Sequence, residues 1–119
     1  MSEKIRNFKD LDIWKLAKEI VLDIYKETNN FPKTEVFALS SKIRRASISI
    51  PSNIAEGFNR YYNKEYKQFL YISLGSCAEI ETQIEICYEL KYISFNFYDM
   101  ILEKTDHLSG MIRNLIKKL

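Results

Sequence analysis

The stretch FALSSKIRRASISIPSNIAEGFNR, Phe37 to Arg60, decides the fold. Within it Leu39, Ile43, Ser47, Ile50 and Ile54, with Val36 just before, recur at the three- and four-residue spacing of one helix face. Pro51 falls inside this periodicity rather than at its end. A proline removes one backbone donor and tends to kink a helix. Because the period continues on both sides, the pattern predicts one helix kinked at Pro51, from Lys33 to Phe58, rather than two helices. Gly57 and then Asn59 mark its stop. Ile48 and Ile50 mimic strand alternation, but their flanks are helical. The stretch holds no catalytic constellation.

Three more helices flank it. Leu11, Trp14, Ala17, Val21 and Ile24, widened by Ile13 and Ile20, predict a first helix over Phe8 to Thr28. Asn29-Asn30-Phe31-Pro32 is the first joint, because Pro32 cannot continue a helix. Asn63 is the expected cap of a third helix reaching Lys91, with Phe69, Ser73, Ser76, Ile80, Ile84 and Cys87 as its stripe. Its middle, Ser73 to Ala78, is small-sided, which predicts the tightest helix crossing there, with Gly75 kept for packing. Ser94 is the expected cap of a fourth helix to Lys117, with Phe97, Ile101, Leu108, Ile112, Leu115 and Leu119 inward. Short joints make neighbours antiparallel. The expectation is an all-α, up-down-up-down four-helix bundle forming one domain over residues 1–119.

Composition narrows the function classes. The chain of 119 residues is 46% apolar and 29% charged, in the range of globular proteins. Its net charge of +2 does not by itself imply nucleic acid. The distribution says more: residues 33–60 carry five basic and two acidic side chains, whereas residues 76–90 carry Glu79, Glu81, Glu85 and Glu89 and no base. Cys77 and Cys87 lack the local partners of a zinc or redox motif and read as buried free thiols in a reducing compartment. With no secretory segment near Met1 and no apolar run of about 18 residues, the reading is cytoplasmic, with no membrane partner.

Three stretches carry a family resemblance: FKDLDIW (Phe8 to Trp14), FPKTEVFALSSKIRRASISIPSNIAEGFNR (Phe31 to Arg60) and FLYISLGSCAEIETQIE (Phe69 to Glu85). With Arg44-Arg45-Ala46 and Ser49 to Gly57 as its most specific block, the chain resembles the 23S rRNA intervening-sequence protein family. That family is also called the four-helix bundle protein family. It is similar in turn to the accessory variability protein of diversity-generating retroelements, a barrel-like pentamer of four-helix bundles that binds nucleic acid through a basic surface. The resemblance therefore implies a homo-oligomer, a ring of five, and RNA or DNA as partner. The chain departs from the family's usual residues at Ala38 (Gly), Lys42 (Gln) and Ser47 (Ala). None of these opposes the fold, and Lys42 adds positive charge.

The candidate sites follow. Lys42 and Arg45 share a polar helix face with Ser49, Ser52 and Glu56. Arg44 instead lies with Phe37, Ser41, Ile48 and Ala55 on a second, partly apolar face. A bundle has one shared core, so Phe37, Arg44 and Ile48 are expected at an oligomer interface. The alternative makes both arginines surface residues paired with acids of their own helix. Glu79 is a further possible partner of either arginine. The stretch FNRYYNKEYKQF, Phe58 to Phe69, interleaves Arg60, Lys64 and Lys67 with Tyr61, Tyr62 and Tyr66. Lysines and arginines bind phosphates, and exposed rings stack unpaired bases. Its competing reading is a loop whose tyrosines fold back on the bundle. Lys42, Arg45, Arg60, Lys64 and Lys67 are thus the candidate nucleic-acid contacts. Glu81, Glu85 and Glu89 form an acidic stripe without the Glu-x-x-His pairs of metal bundles. The expected function is non-catalytic, with no cofactor, metal or small-molecule substrate: an oligomer binding RNA or DNA, or alternatively a protein-interaction scaffold.

Overall fold

The computed structural model describes residues 5–119. Four helices make up the fold: α1 (Asp12–Thr28), α2 (Leu39–Phe58), α3 (Asn63–Glu89) and α4 (Phe95–Lys118). Short 3-10 turns at Phe8–Asp10 and Lys33–Glu35 precede α1 and α2. Among the described residues there is no strand.

Consecutive helices reverse direction, as their partners show. On α1 and α2, Arg44 reaches Tyr25 and Thr28, whereas Pro51, Ser52 and Ala55 share a groove with Phe8 and Trp14. On α2 and α3, Ser49 bonds Ser76, Ser73 bonds the Ile50 carbonyl, and Phe58 meets Tyr66. On α3 and α4, Tyr98 stacks on Tyr88 while Cys77 faces Ser109. Lys104 of α4 ties to Asp23 at 2.7 Å and Glu19 at 3.3 Å on α1, closing the bundle.

The core is rich in isoleucine: Ile20, Ile24, Ile43, Ile50, Ile54, Ile80, Ile84, Ile101 and Ile112 are fully buried with Leu70 and Leu108. Each burial removes apolar surface from water and contributes roughly 1.5–3 kcal/mol against the entropy of ordering the chain. Most of the expected stripe residues face inward, with shifts of one position. Leu70 and Cys77 join the α3 stripe while Phe69 is half-buried, and Val36 is exposed. Helix α2 runs as one helix of 20 residues through Pro51.

Several boundaries differ from the sequence expectation. The first helix does not begin at Phe8, because Leu11 is extended (φ −71°, ψ 130°) and turns Phe8 back onto the Trp14 ring at 5.4 Å. The second does not begin at Lys33, because Ala38 leaves the helical region (φ −120°, ψ −104°) and α2 opens at Leu39. Asn63 does not cap α3. It is the first helical residue, after an extended Tyr62, and no side chain caps that end. Ser94 does cap α4, its Oγ accepting from the Phe97 amide at 3.1 Å. Helix α3 stops at Glu89, not Lys91, because Lys91 turns left-handed (φ 64°). The Lys91 amide then bonds the Tyr88 carbonyl and the Tyr92 amide that of Cys87, satisfying carbonyls the helix end leaves open.

The close approach expected at Gly75 is elsewhere. Gly75 is exposed, and a Cβ there would meet nothing within 4 Å. Gly57 is the buried one: a Cβ there would lie 2.8 Å from Phe69 Cβ and 3.2 Å from the Tyr66 carbonyl oxygen. Gly57 therefore lets the end of α2 touch the start of α3, and its role is packing rather than only stopping a helix. The small residues of α3 still serve the crossing. Ser73 Oγ donates to the Ile50 carbonyl at 3.0 Å and Ser76 Oγ bonds Ser49 Oγ at 2.8 Å.

Candidate nucleic-acid interface and assembly face

Arg44 and Arg45 follow different paths from adjacent positions. Arg44 crosses to the C-terminal turn of α1. Its Nε donates to Thr28 Oγ1 at 2.7 Å, and Nη2 donates to Asn29 Oδ1 at 3.0 Å and to the Tyr25 carbonyl at 3.3 Å. The guanidinium also lies over the Tyr25 ring, 4.7 Å from its centre. A cation at a helix C-terminus meets the negative end of its dipole and the carbonyls left without amide partners. Arg44 is thus a cross-helix clamp, and none of these three partners is an acid of its own helix.

Arg45 is exposed and lines a groove of about 500 Å³ between α2 and α3 with Lys42, Ser49, Ser76, Glu79 and Gln83. Arg45 and Glu79 share the groove without an ion pair. Among the described residues, ion pairs form only at Arg60–Glu56 (3.7 Å) and at Lys104.

The five candidate nucleic-acid contacts fall in two places. Lys42 and Arg45 sit in that mid-bundle groove, and Arg60 is 15 residues further on, about 22 Å along the helix direction. Arg60, Lys64 and Lys67 surround the α2–α3 joint at one end of the bundle. Arg60 is held by Glu56 and lies 4.8 Å from the Phe69 ring centre. Tyr66 folds onto Phe58, ring centres 6.1 Å apart, whereas Tyr61 and Tyr62 point outward, 89% and 64% exposed.

The topology adds basic residues that the linear pattern did not group with this end. Because α1 starts there and α4 finishes there, Arg6, Lys9, Lys117 and Lys118 come to the same end, all exposed. That end carries these four with Arg60, Lys64 and Lys67 against Asp10, Asp12, Glu56 and Glu65. The opposite end carries Glu27, Glu35, Glu85, Glu89 and Asp99 against Lys26, Lys33 and Lys91, with Tyr98 donating to the Glu85 carboxylate. That bond, reinforced by burial and the nearby acids, raises the Tyr98 hydroxyl's pKa.

Phe37, Arg44 and Ile48 border one groove of about 440 Å³ with Tyr25, Val36, Ser41 and Arg45. A second, of about 300 Å³, continues from Ile48 past Pro51 and Ala55 to Val21, Trp14 and Phe8. Phe37 is 95% exposed and Ile48 43%. Together they make an apolar trough along the α1–α2 face.

Cys77 and Cys87 are buried and free. Burial pushes the Cys87 thiol up to about 11 and raises that of Cys77 against a lowering hydrogen bond from Ser109. Among the described residues no three His, Cys, Asp or Glu side chains gather to hold a metal, and no helix is long and apolar enough to cross a membrane.

Comparison with solved structures finds the same fold in the crystal structure of a protein of unknown function from the S23 ribosomal protein family of Bacteroides thetaiotaomicron. The TM-score is 0.79 at 24% identity, covering 88% of this chain and 98% of that one. No curated protein matches the chain. The family model described as 23S rRNA-intervening sequence protein matches residues 9–114. The chain therefore belongs to the 23S rRNA-intervening sequence protein family.

Proposed function

We propose that this protein is a non-catalytic, homo-oligomeric accessory protein that binds RNA or DNA through the basic end of its bundle. The observation that carries the reading is the convergence of three chain segments, before α1, around the α2–α3 joint and at the end of α4, on one end. Among the described residues, the seven basic side chains named above stand there with four acidic ones, although the whole chain has a net charge of only +2. Phosphate binding by such a surface is electrostatic and releases counterions. The α1–α2 trough supports assembly, because a second copy would remove Phe37 and Ile48 from water. A ring of five is carried over from the likeness to the accessory variability protein. It would repeat the basic end and raise its effective concentration on a long polymer. Two buried free thiols fit a reducing, cytoplasmic setting.

The test is fluorescence anisotropy with labelled RNA and DNA across salt, alongside mass measurement of the assembly. Affinity should fall steeply as salt rises, and Lys64→Glu with Lys67→Glu should weaken it. No binding at low salt would refute the reading, because the phosphate contribution is strongest there. The scaffold alternative rests on the same trough and on Arg44 being engaged within its own chain. It expects the assembly without salt-dependent binding.

A further inference from the structure

We infer that the basic end takes unpaired bases, with Tyr61 as the stacking platform, so that its ligand is a single strand rather than a duplex. This rests on the nucleic-acid reading above and adds the form of the polymer.

The argument starts from a contrast within one short segment. Three tyrosines lie between Arg60 and Lys67. Tyr66 turns inward onto Phe58, so apolar cover is within reach of this segment. Tyr61 and Tyr62 do not take it. They stand out of the joint between α2 and α3, 89% and 64% exposed, with ring centres 4.9 Å apart at 80°. An edge-to-face pair leaves a ring face open, and every base has a face to lay on it. Of the cations beside them, Arg60 is already engaged by Glu56 and Phe69. Lys64 and Lys67 form no ion pair among the described residues and lie three apart, on one side of α3. Rings for bases and lysines for phosphates thus lie within two turns of each other. A duplex keeps its base faces inside the stack, so it would use the lysines alone.

The experiment compares a labelled oligodeoxythymidine strand with a blunt DNA duplex of equal phosphate count, at one low salt concentration. Wild-type protein should hold the strand more tightly. Tyr61→Leu should weaken the strand roughly 5- to 150-fold, the size of one lost stack, and leave the duplex unchanged. Tyr61→Trp should keep the strand affinity, with its indole emission quenched on binding. Because the ring touches little of its own chain, the thermal midpoint should not move. Equal binding of strand and duplex by the wild type would overturn the inference. So would wild-type strand affinity in Tyr61→Leu combined with Tyr62→Leu, while Lys64→Glu with Lys67→Glu still loses both ligands. That last pattern leaves the basic end standing and removes only the stacking. Wild-type affinity for both ligands in the lysine variant would remove the basic end itself.

Discussion

Arg44 Nε donates to Thr28 Oγ1 at 2.7 Å, tying the second turn of α2 to the last turn of α1. Thr28 is buried, and its hydroxyl also reaches the Ile24 carbonyl at 2.8 Å. Removing the guanidinium leaves that turn's carbonyls with one donor fewer. Arg44→Ala should therefore cost about 1.5–3 kcal/mol in chemical denaturation, the range for a bond to a charged group. Arg44→Lys should recover less than half, because an ammonium cannot donate in a planar fork to three acceptors.

The glycines separate by what surrounds them. Gly57→Ala should destabilise by about 1–3 kcal/mol, since its methyl would press on Phe69 Cβ and the Tyr66 backbone. Gly75→Ala should stabilise by up to about 1 kcal/mol, because nothing obstructs a Cβ and the helix gains propensity. Thermal melts of the two variants should move in opposite directions.

Lys91 holds the left-handed position that ends α3. A side chain there costs about 1–2 kcal/mol that glycine avoids. Lys91→Gly should raise the unfolding free energy by about 1 kcal/mol, the lower part of that range, once glycine's larger entropy loss is subtracted, and the denaturation midpoint should rise with it.

The buried thiols set a pH response. Burial raises Cys87 from near 9 to about 11, so the unfolded chain loses its proton first as pH rises. Stability from this group is complete below about pH 9 and is lost as pH climbs through the window up to about 11. Denaturation midpoints should fall across that window, and less so in Cys87→Ala. At pH 8 a thiol reagent should label neither cysteine until the protein is unfolded.

Phe37 gives a cleaner probe of assembly than Arg44, whose loss also uncaps α1. Phe37→Asp should reduce the mass seen in sedimentation while the monomer's helix content stays unchanged. An unaltered mass would count against the α1–α2 trough as the contact between copies.

The helix types and order, the joints and most of the inward stripes were legible in the sequence. They depend on spacing between residues three and four apart, which local periodicity records. The period carried α2 through Pro51, and Ser94 signalled its cap through a local bond to the Phe97 amide. Boundaries were less legible where one backbone angle decided them, as at Leu11 and Ala38. Only the tertiary structure decided which glycine lies under a neighbouring helix, and that Arg44 reaches α1 while Arg45 stays exposed at the rim of two grooves. Such choices depend on distances between residues far apart in the chain, which periodicity along one helix does not contain. Phe37 to Arg60 determined the bundle, and the packing of α1, α3 and α4 around it determined what each of its side chains faces.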